Sequence, residues 1–147
     1  MKLIVATDQN GGIGMNGTIP WKCPEDQRFF RFLTMGERVY MGRNTYESLP
    51  SPLTGRYNFV VTHSKDPLRA GFHKTSLQMM YLNNEGFIIG GQMLYEDALN
   101  RKKVDTIYVS RISCLYECDR FFEVPEEFRK VSQYKLSEDC TVEKWIV

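Results

Sequence analysis

Phe87-Ile88-Ile89-Gly90-Gly91-Gln92-Met93-Leu94 is the stretch on which the fold turns. Consecutive large apolar residues read as a strand buried on both faces, as parallel strands are, and the glycine pair leads into a helix from Gln92 to about Asn100. Upstream, strands are expected at Lys2–Thr7, Arg38–Met41 and Tyr57–Thr62. Helices are expected from Pro24 to about Met35 with a stop at Gly36, over Asn44–Leu49, and over Leu77–Asn83. Pro24 suits a first helical position, and Glu25 and Asp26 suit a first turn. Downstream, Thr106–Ile112 is β, and Val131–Leu136 with Thr141–Val147 make an antiparallel pair. The pattern describes an α/β fold, one domain over residues 1–147. Its central sheet is mostly parallel and twisted, with an antiparallel C-terminal edge strand and flanking helices. Ligands in such sheets bind beyond the carboxyl ends of the strands, so the chemistry belongs after Thr7, Met41, Val61, Ile89 and Val109.

Composition narrows the function. The 147 residues carry 19 Lys+Arg against 18 Asp+Glu and are 42% hydrophobic, which excludes intrinsic disorder. A net charge of +1 provides no field to gather nucleic acid or anionic lipid. Arg101-Lys102-Lys103 reads as the charged end of a helix. Leu3-Ile4-Val5-Ala6, ended by Asp8, is too short for a signal h-region or a membrane span. Cys23, Cys114, Cys118 and Cys140 include no C-x-x-C pair, which favours free thiols in a reducing cytosol over a zinc site. No metal is expected. A soluble, cytoplasmic protein is.

Several motifs carry chemistry. Gly12-x-Gly14-x-x-Gly17 matches the dinucleotide fingerprint in letters only, because Thr18-Ile19-Pro20-Trp21 cannot open the helix that the fingerprint requires. The loop is either a plain connection or a mobile lid, and the pattern leaves both open. Gly90-Gly91 suits a phosphate at a helix start or simply a tight turn. Arg43, after Gly42 and before a short helix, has the same character. Asp26 shares a helical face with Phe30 and Leu33. A carboxyl on that stripe is either a proton donor with an elevated pKa or an N-terminal acid bonded to backbone N–H groups. Arg56, after Gly55, is either a carboxylate clamp or a solvated arginine.

Taken in order, these pieces resemble dihydrofolate reductase of the chromosomal α/β type. The matching stretches are Ile4-Val5-Ala6, Ile13 to Gly17 with Pro20-Trp21, Pro24-Glu25-Asp26, Met41 to Leu49, Pro52 to Arg56, and Ile88 to Gly91. They span the first two-thirds of the chain, and the last third matches weakly. The resemblance implies hydride transfer from NADPH to dihydrofolate in a monomer that binds small molecules, not nucleic acid or membrane. It makes Asp26 the ionisable group that assists protonation at pterin N5. Trp21 would hold a water near the pterin, Ile19 would belong to the lid, and Ser110 would bond Asp26 or that water. Ile4, Ala6, Gln27, Phe30, Leu49, Leu53 and Ile89 would line the substrate slot, with Ser51 at its mouth and Arg56 on the glutamate carboxylate. For the cofactor, the resemblance implies Ala6 and the loop Gly12, Ile13, Gly14, Met15, Asn16, Gly17 and Thr18 at the nicotinamide and its ribose. Gly42, Arg43, Asn44, Thr45, Gly90, Gly91, Gln92, Met93 and Leu94 would hold the phosphates, and Thr62, His63 and Lys74 the adenosine 2′-phosphate.

The chain also departs from the family pattern. His63 stands where serine or arginine is common, Gln27 makes the slot more polar, and Gln92-Met93 weakens one phosphate contact. Cys118-Asp119-Arg120 replaces Gly-Asp-Thr, and Gly11 is an extra glycine, so a looser lid is expected. Two other readings compete: a pyrimidine reductase of riboflavin synthesis, and a fold-sharing binding protein with little turnover. Trp21, Asp26 and Arg56 together argue against the first.

Overall fold

The computed structural model describes residues 1–14, 23–113 and 118–147. Its ten strands are β1 (Lys2–Thr7), β2 (Gly12–Gly14), β3 (Arg38–Met41), β4 (Tyr57–Val61), β5 (Phe72–Thr75), β6 (Phe87–Gly90), β7 (Thr106–Ile112), β8 (Arg120–Phe121), β9 (Arg129–Ser137) and β10 (Cys140–Ile146). Four helices connect them: α1 (Pro24–Thr34), α2 (Arg43–Ser48), α3 (Leu77–Asn83) and α4 (Gln92–Asn100).

Eight strands form one sheet in the order β5-β4-β3-β6-β1-β7-β10-β9. From β5 to β7 every pairing is parallel, whereas β10 and β9 are antiparallel additions. The chain winds outward from β1 through β3, β4 and β5, then returns to place β6 and β7 on either side of β1. Reversal of the winding direction puts helices on opposite faces, because parallel crossovers keep one hand. One core joins Leu3, Val5, Ile88, Ile107 and Val109 to Met80 of α3 and to Leu94, Tyr95 and Ala98 of α4. The other joins Ile4, Val39, Met41, Val60 and Phe87 to Tyr46 of α2, with Phe29, Phe30 and Leu33 of α1 packed on it. The sheet therefore separates two apolar layers, as the buried run Phe87–Ile89 required.

Local sequence explains most boundaries. Pro24 opens α1 with Glu25 and Asp26 in its first turn. The helix ends at Thr34, and Gly36, at φ +77°, turns the chain so that its N–H donates to Gly55 O at 2.8 Å. The basic cluster does close α4, where Arg101 pairs with Asp97 at 3.1 Å. Among the described residues, no helix is long and apolar enough to cross a membrane.

Three strands escape the sequence reading. In β5 only Phe72 is buried, while His73 and Lys74 are exposed, so this edge strand lacks an apolar run. The short strands β2 and β8 pair only with one another, antiparallel, and their backbones supply the signal rather than their side chains.

Candidate active site

The parallel register places Ala6 of β1 directly beside Ser110 of β7 near their carboxyl ends. Asp26, in the first turn of α1, lies against this pair, and its carboxyl is hydrogen-bonded with the buried Ser110 hydroxyl. Burial raises the Asp26 pKa above its ordinary 3.8, and the Ser110 bond offsets part of that rise. Asp26 is half-buried and shares its helix face with Phe30 and Leu33, which pack on the core.

The α2 exit and the following turn contribute an apolar wall to the same layer. Leu49, Leu53 and Ile89 pack in the same layer as Phe30, with Ile4 buried at its base. Ser51 and Gln27 are exposed at the rim. Arg56 is not a freely solvated arginine. Its Nε donates to Thr54 O at 3.0 Å, its Nη1 to Thr34 Oγ1 at 3.2 Å, and its guanidinium lies 5.9 Å from the Phe30 ring centroid. Burial, and secondarily the neighbouring Arg31 charge, lower its pKa. A cation held in this way is ready for a carboxylate.

Sequence reasoning missed two residues here. Asn58, 2% exposed, donates through Nδ2 to Leu53 O and Arg56 O, both at 3.0 Å, and accepts from Leu53 N–H at 2.9 Å. Thr34, fully buried, anchors Arg56 while donating to Phe30 O at 2.7 Å. The available signal was a single amide inside the β run Tyr57–Val61.

A second set of groups gathers beyond β3 and β6. Gly42 N–H donates to Gly90 O at 2.8 Å, joining the two strand ends, and a cis peptide links Gly90 to Gly91. A Cβ on Gly90, at φ +144°, would stand 2.7 Å from Thr45 Oγ1, so the strand-to-helix turn closes directly on α2. Arg43 Nε pairs with Glu47 at 3.0 Å, but its buried Nη1 has no hydrogen-bond partner among the described residues. Buried guanidinium nitrogens ordinarily have one, so an anionic ligand at this point fits the residues present. Asn44 is exposed beside it.

Other implied cofactor residues are placed as follows. Gln92 is half-buried, with Nε2 donating to Phe121 O at 3.2 Å, and Met93 is 84% exposed. Leu94 points into the core, which leaves only its backbone for a ligand. Thr62 Oγ1 accepts from Ser64 N–H at 3.1 Å just after β4, where His63 is exposed, and Lys74 is exposed on the neighbouring β5.

The base of the glycine loop is tied down. Asp8 Oδ1 accepts from Asn10 and Gly12 N–H at 2.8 Å each. Phe122 N–H donates to Gly11 O at 2.8 Å, and β2 pairs with β8. Gly11, at φ +82°, is required there, because a Cβ would meet Phe122 O at 2.7 Å. At residues 8–14 the extra glycine permits close contact and Arg120–Phe121 supplies backbone pairing, while most of the lid to which the expectation of looseness applies lies outside the described residues. Met15, Asn16, Gly17, Thr18, Ile19 and Trp21 lie outside the described residues.

Cys23 and Cys140 are free thiols, and with Cys118 they cluster with Ala6, Ile112 and Leu136. Cys114 lies outside the described residues. Among those described, no three His, Cys, Asp or Glu residues are placed to hold a metal.

Fold and site together define an α/β protein with a half-buried carboxyl at the carboxyl ends of β1 and β7, an arginine held by Thr34 and Thr54, and a buried guanidinium nitrogen of Arg43 beyond β3 and β6. The sequence model of the family described as Dihydrofolate reductase matches residues 1–144, well past the two-thirds covered by the motifs. This chain belongs to the dihydrofolate reductase family. It is 35% identical over 141 residues to the dihydrofolate reductase of Bacillus subtilis, covering 92% of this chain and 80% of that one. It is 33% identical over 150 residues to the bifunctional dihydrofolate reductase-thymidylate synthase of Daucus carota, covering 86% of this chain. It spans only 28% of that relative's length. Among solved structures, the dihydrofolate reductase of Enterococcus faecalis complexed with NADP(H) and RAB-propyl superposes with a TM-score of 0.85 at 26% identity, covering 99% of this chain and 94% of that one.

Proposed function

We propose that the protein reduces 7,8-dihydrofolate to 5,6,7,8-tetrahydrofolate with NADPH. The observation that carries this reading is Asp26, a half-buried carboxyl bonded with Ser110 whose pKa is raised by burial. A carboxyl in that setting holds a proton where an ordinary aspartate has lost it.

NADPH supplies the hydride, which goes to the pterin carbon next to N5. The residues of the chain do the rest. Asp26 bonds the pterin amino group and ring nitrogen and assists delivery of the proton to N5. Ala6 and Ile4 form the floor, and Phe30, Leu49, Leu53 and Ile89 exclude water from the slot. Arg56 pairs with the substrate's glutamate carboxylate, so the substrate is held at both ends and cannot slide. Arg43, with its unpartnered Nη1, and Asn44 and Thr45 hold the cofactor phosphates, facing Gly42, Gly90 and Gly91. Thr62, His63 and Lys74 serve the 2′-phosphate, and Trp21 and Ile19 complete the site. We place the protein in the cytoplasm as a monomer. Free Cys23 and Cys140 support a reducing compartment, and a net charge of +1 supports small-molecule ligands.

The test mixes purified protein with NADPH and dihydrofolate and follows loss of the reduced-nicotinamide absorbance. Oxidation that requires dihydrofolate is expected. A folded protein that binds both ligands without oxidising NADPH would contradict the proposal.

A further inference from the structure

We propose that Arg69 is a positioning residue for dihydrofolate, setting the place of the Leu49–Leu53 wall through Tyr46 and Pro50. This rests on the placement of that wall in the dihydrofolate slot.

The wall is held at its Leu53 end by Asn58 and needs a second support at its start. It leaves α2, a helix of six residues, which is too short to persist without tertiary contacts. The last turn of α2 has no basic residue to meet its free carbonyls. Arg69, in the turn before β5, reaches back across 23 residues to provide that contact. Its Nη2 donates to Tyr46 O at 2.7 Å and its Nη1 to Pro50 O at 3.2 Å. Its Nε and backbone N–H both donate to the Tyr46 hydroxyl, at 3.3 and 2.9 Å. The guanidinium also lies over Tyr46 and Phe72, 4.6 and 5.0 Å from their ring centroids. Those two rings meet edge to face at 4.8 Å, so the fork is seated on packed aromatic surface.

A second contact from the same turn acts on the same wall. Gly71, at φ +89°, brings its backbone so close to Pro52 that a Cβ would stand 2.5 Å from the proline Cγ. The Arg69–Gly71 turn thus braces the wall at Tyr46, Pro50 and Pro52. Pro50 and Pro52 follow the C-terminal end of α2, whereas Arg43 opens that helix and reaches Tyr46 through its ring, 5.5 Å from the centroid, while Arg69 holds the Tyr46 hydroxyl and carbonyl. Nothing in the amino-acid sequence announces Arg69, because its partners are distant in the chain.

The asymmetry makes the proposal testable. Steady-state KM for each ligand and kcat are measured for wild type, Arg69→Met and Arg69→Lys, with Arg38→Ala as a control. Arg38 pairs with Glu85 at 3.4 Å at the opposite end of the sheet and serves neither ligand. Arg69→Met should raise the KM for dihydrofolate by about ten-fold or more, the effect of losing charge-assisted bonds. The KM for NADPH and kcat should stay within about three-fold, and Arg69→Lys should recover part of the loss. Should Arg69→Met fail to fold, Tyr46→Phe removes only the hydroxyl that takes two of the four bonds, and must raise the same KM. Equal rises in both KM values, a fall in kcat alone, or no change would overturn the proposal. A wild type that oxidises no NADPH would instead overturn the functional reading on which it rests.

Discussion

Asn58 holds Leu53 by both edges of its side-chain amide: Oδ1 accepts the Leu53 N–H at 2.9 Å, and Nδ2 donates to the Leu53 carbonyl at 3.0 Å. The same nitrogen donates to Arg56 O, so one buried side chain shapes the whole turn that carries both residues. Asn58→Leu removes these bonds while filling similar space, leaving the turn's polar groups without partners. It should lower stability by about 2 kcal/mol or more, read from the urea midpoint, and raise the KM for dihydrofolate. Unchanged stability would show that the turn holds its shape without the amide.

Gly11 is fixed by contact as much as by conformation. At φ +82° with Phe122 O 2.7 Å from the site of a Cβ, alanine there meets both strain and a backbone clash. Gly11→Ala should destabilise the fold by about 1–3 kcal/mol in thermal unfolding and weaken NADPH binding in a fluorescence titration. A variant as stable as wild type, with equal NADPH affinity, would remove the loop base from the cofactor site.

Asp26 is expected to be a liability for folding. Its folded pKa lies above the unfolded value because burial disfavours the charge. The folded state therefore binds more protons than the unfolded state between the two values, and stability falls as pH rises through that interval. Asp26→Asn should accordingly be more stable than wild type at pH 7 by urea unfolding. The difference should close below pH 3.8, where the carboxyl is protonated in both states. A variant less stable at pH 7 would contradict this sign.

Cys140 is 1% exposed, and burial, then the Asp26 charge, push its pKa up to about 12. The nucleophile is the thiolate, so Cys140 should remain unmodified by a thiol-directed disulfide reagent at pH 8 in the folded protein. It should react promptly once the chain is unfolded in urea. Mass spectrometry of peptides distinguishes it from Cys23 and Cys118, and rapid native labelling of Cys140 would contradict its placement.

Much of the architecture was legible because local pattern and tertiary demand agree. Lys2–Thr7, Leu77–Asn83 and Thr106–Ile112 fall on their expected bounds, since apolar runs and turn residues mark them. Asp26 was legible from its helical spacing, although only the fold shows that Ser110 meets it. The rest depends on contacts between distant segments. Phe72–Thr75 becomes a strand because the Tyr57–Val61 edge offers it hydrogen bonds, not because its own residues demand one. Asn58, Thr34 and Arg69 look like ordinary polar residues until the fold brings Leu53, Arg56 and Tyr46 to them. The contact that Gly11 makes was hidden for the same reason: its neighbour Phe122 is far away in the chain.

The most direct measurement is kcat against pH for wild type and Asp26→Asn, with NADPH and dihydrofolate both saturating. The account predicts wild-type turnover that declines as pH rises through the raised pKa of Asp26, and an Asn variant slower at neutral pH by about a hundred-fold or more. That variant should also lose this pH dependence. An Asp26→Asn protein with wild-type turnover and an unchanged profile would contradict the account, leaving the buried carboxyl without a part in the reaction.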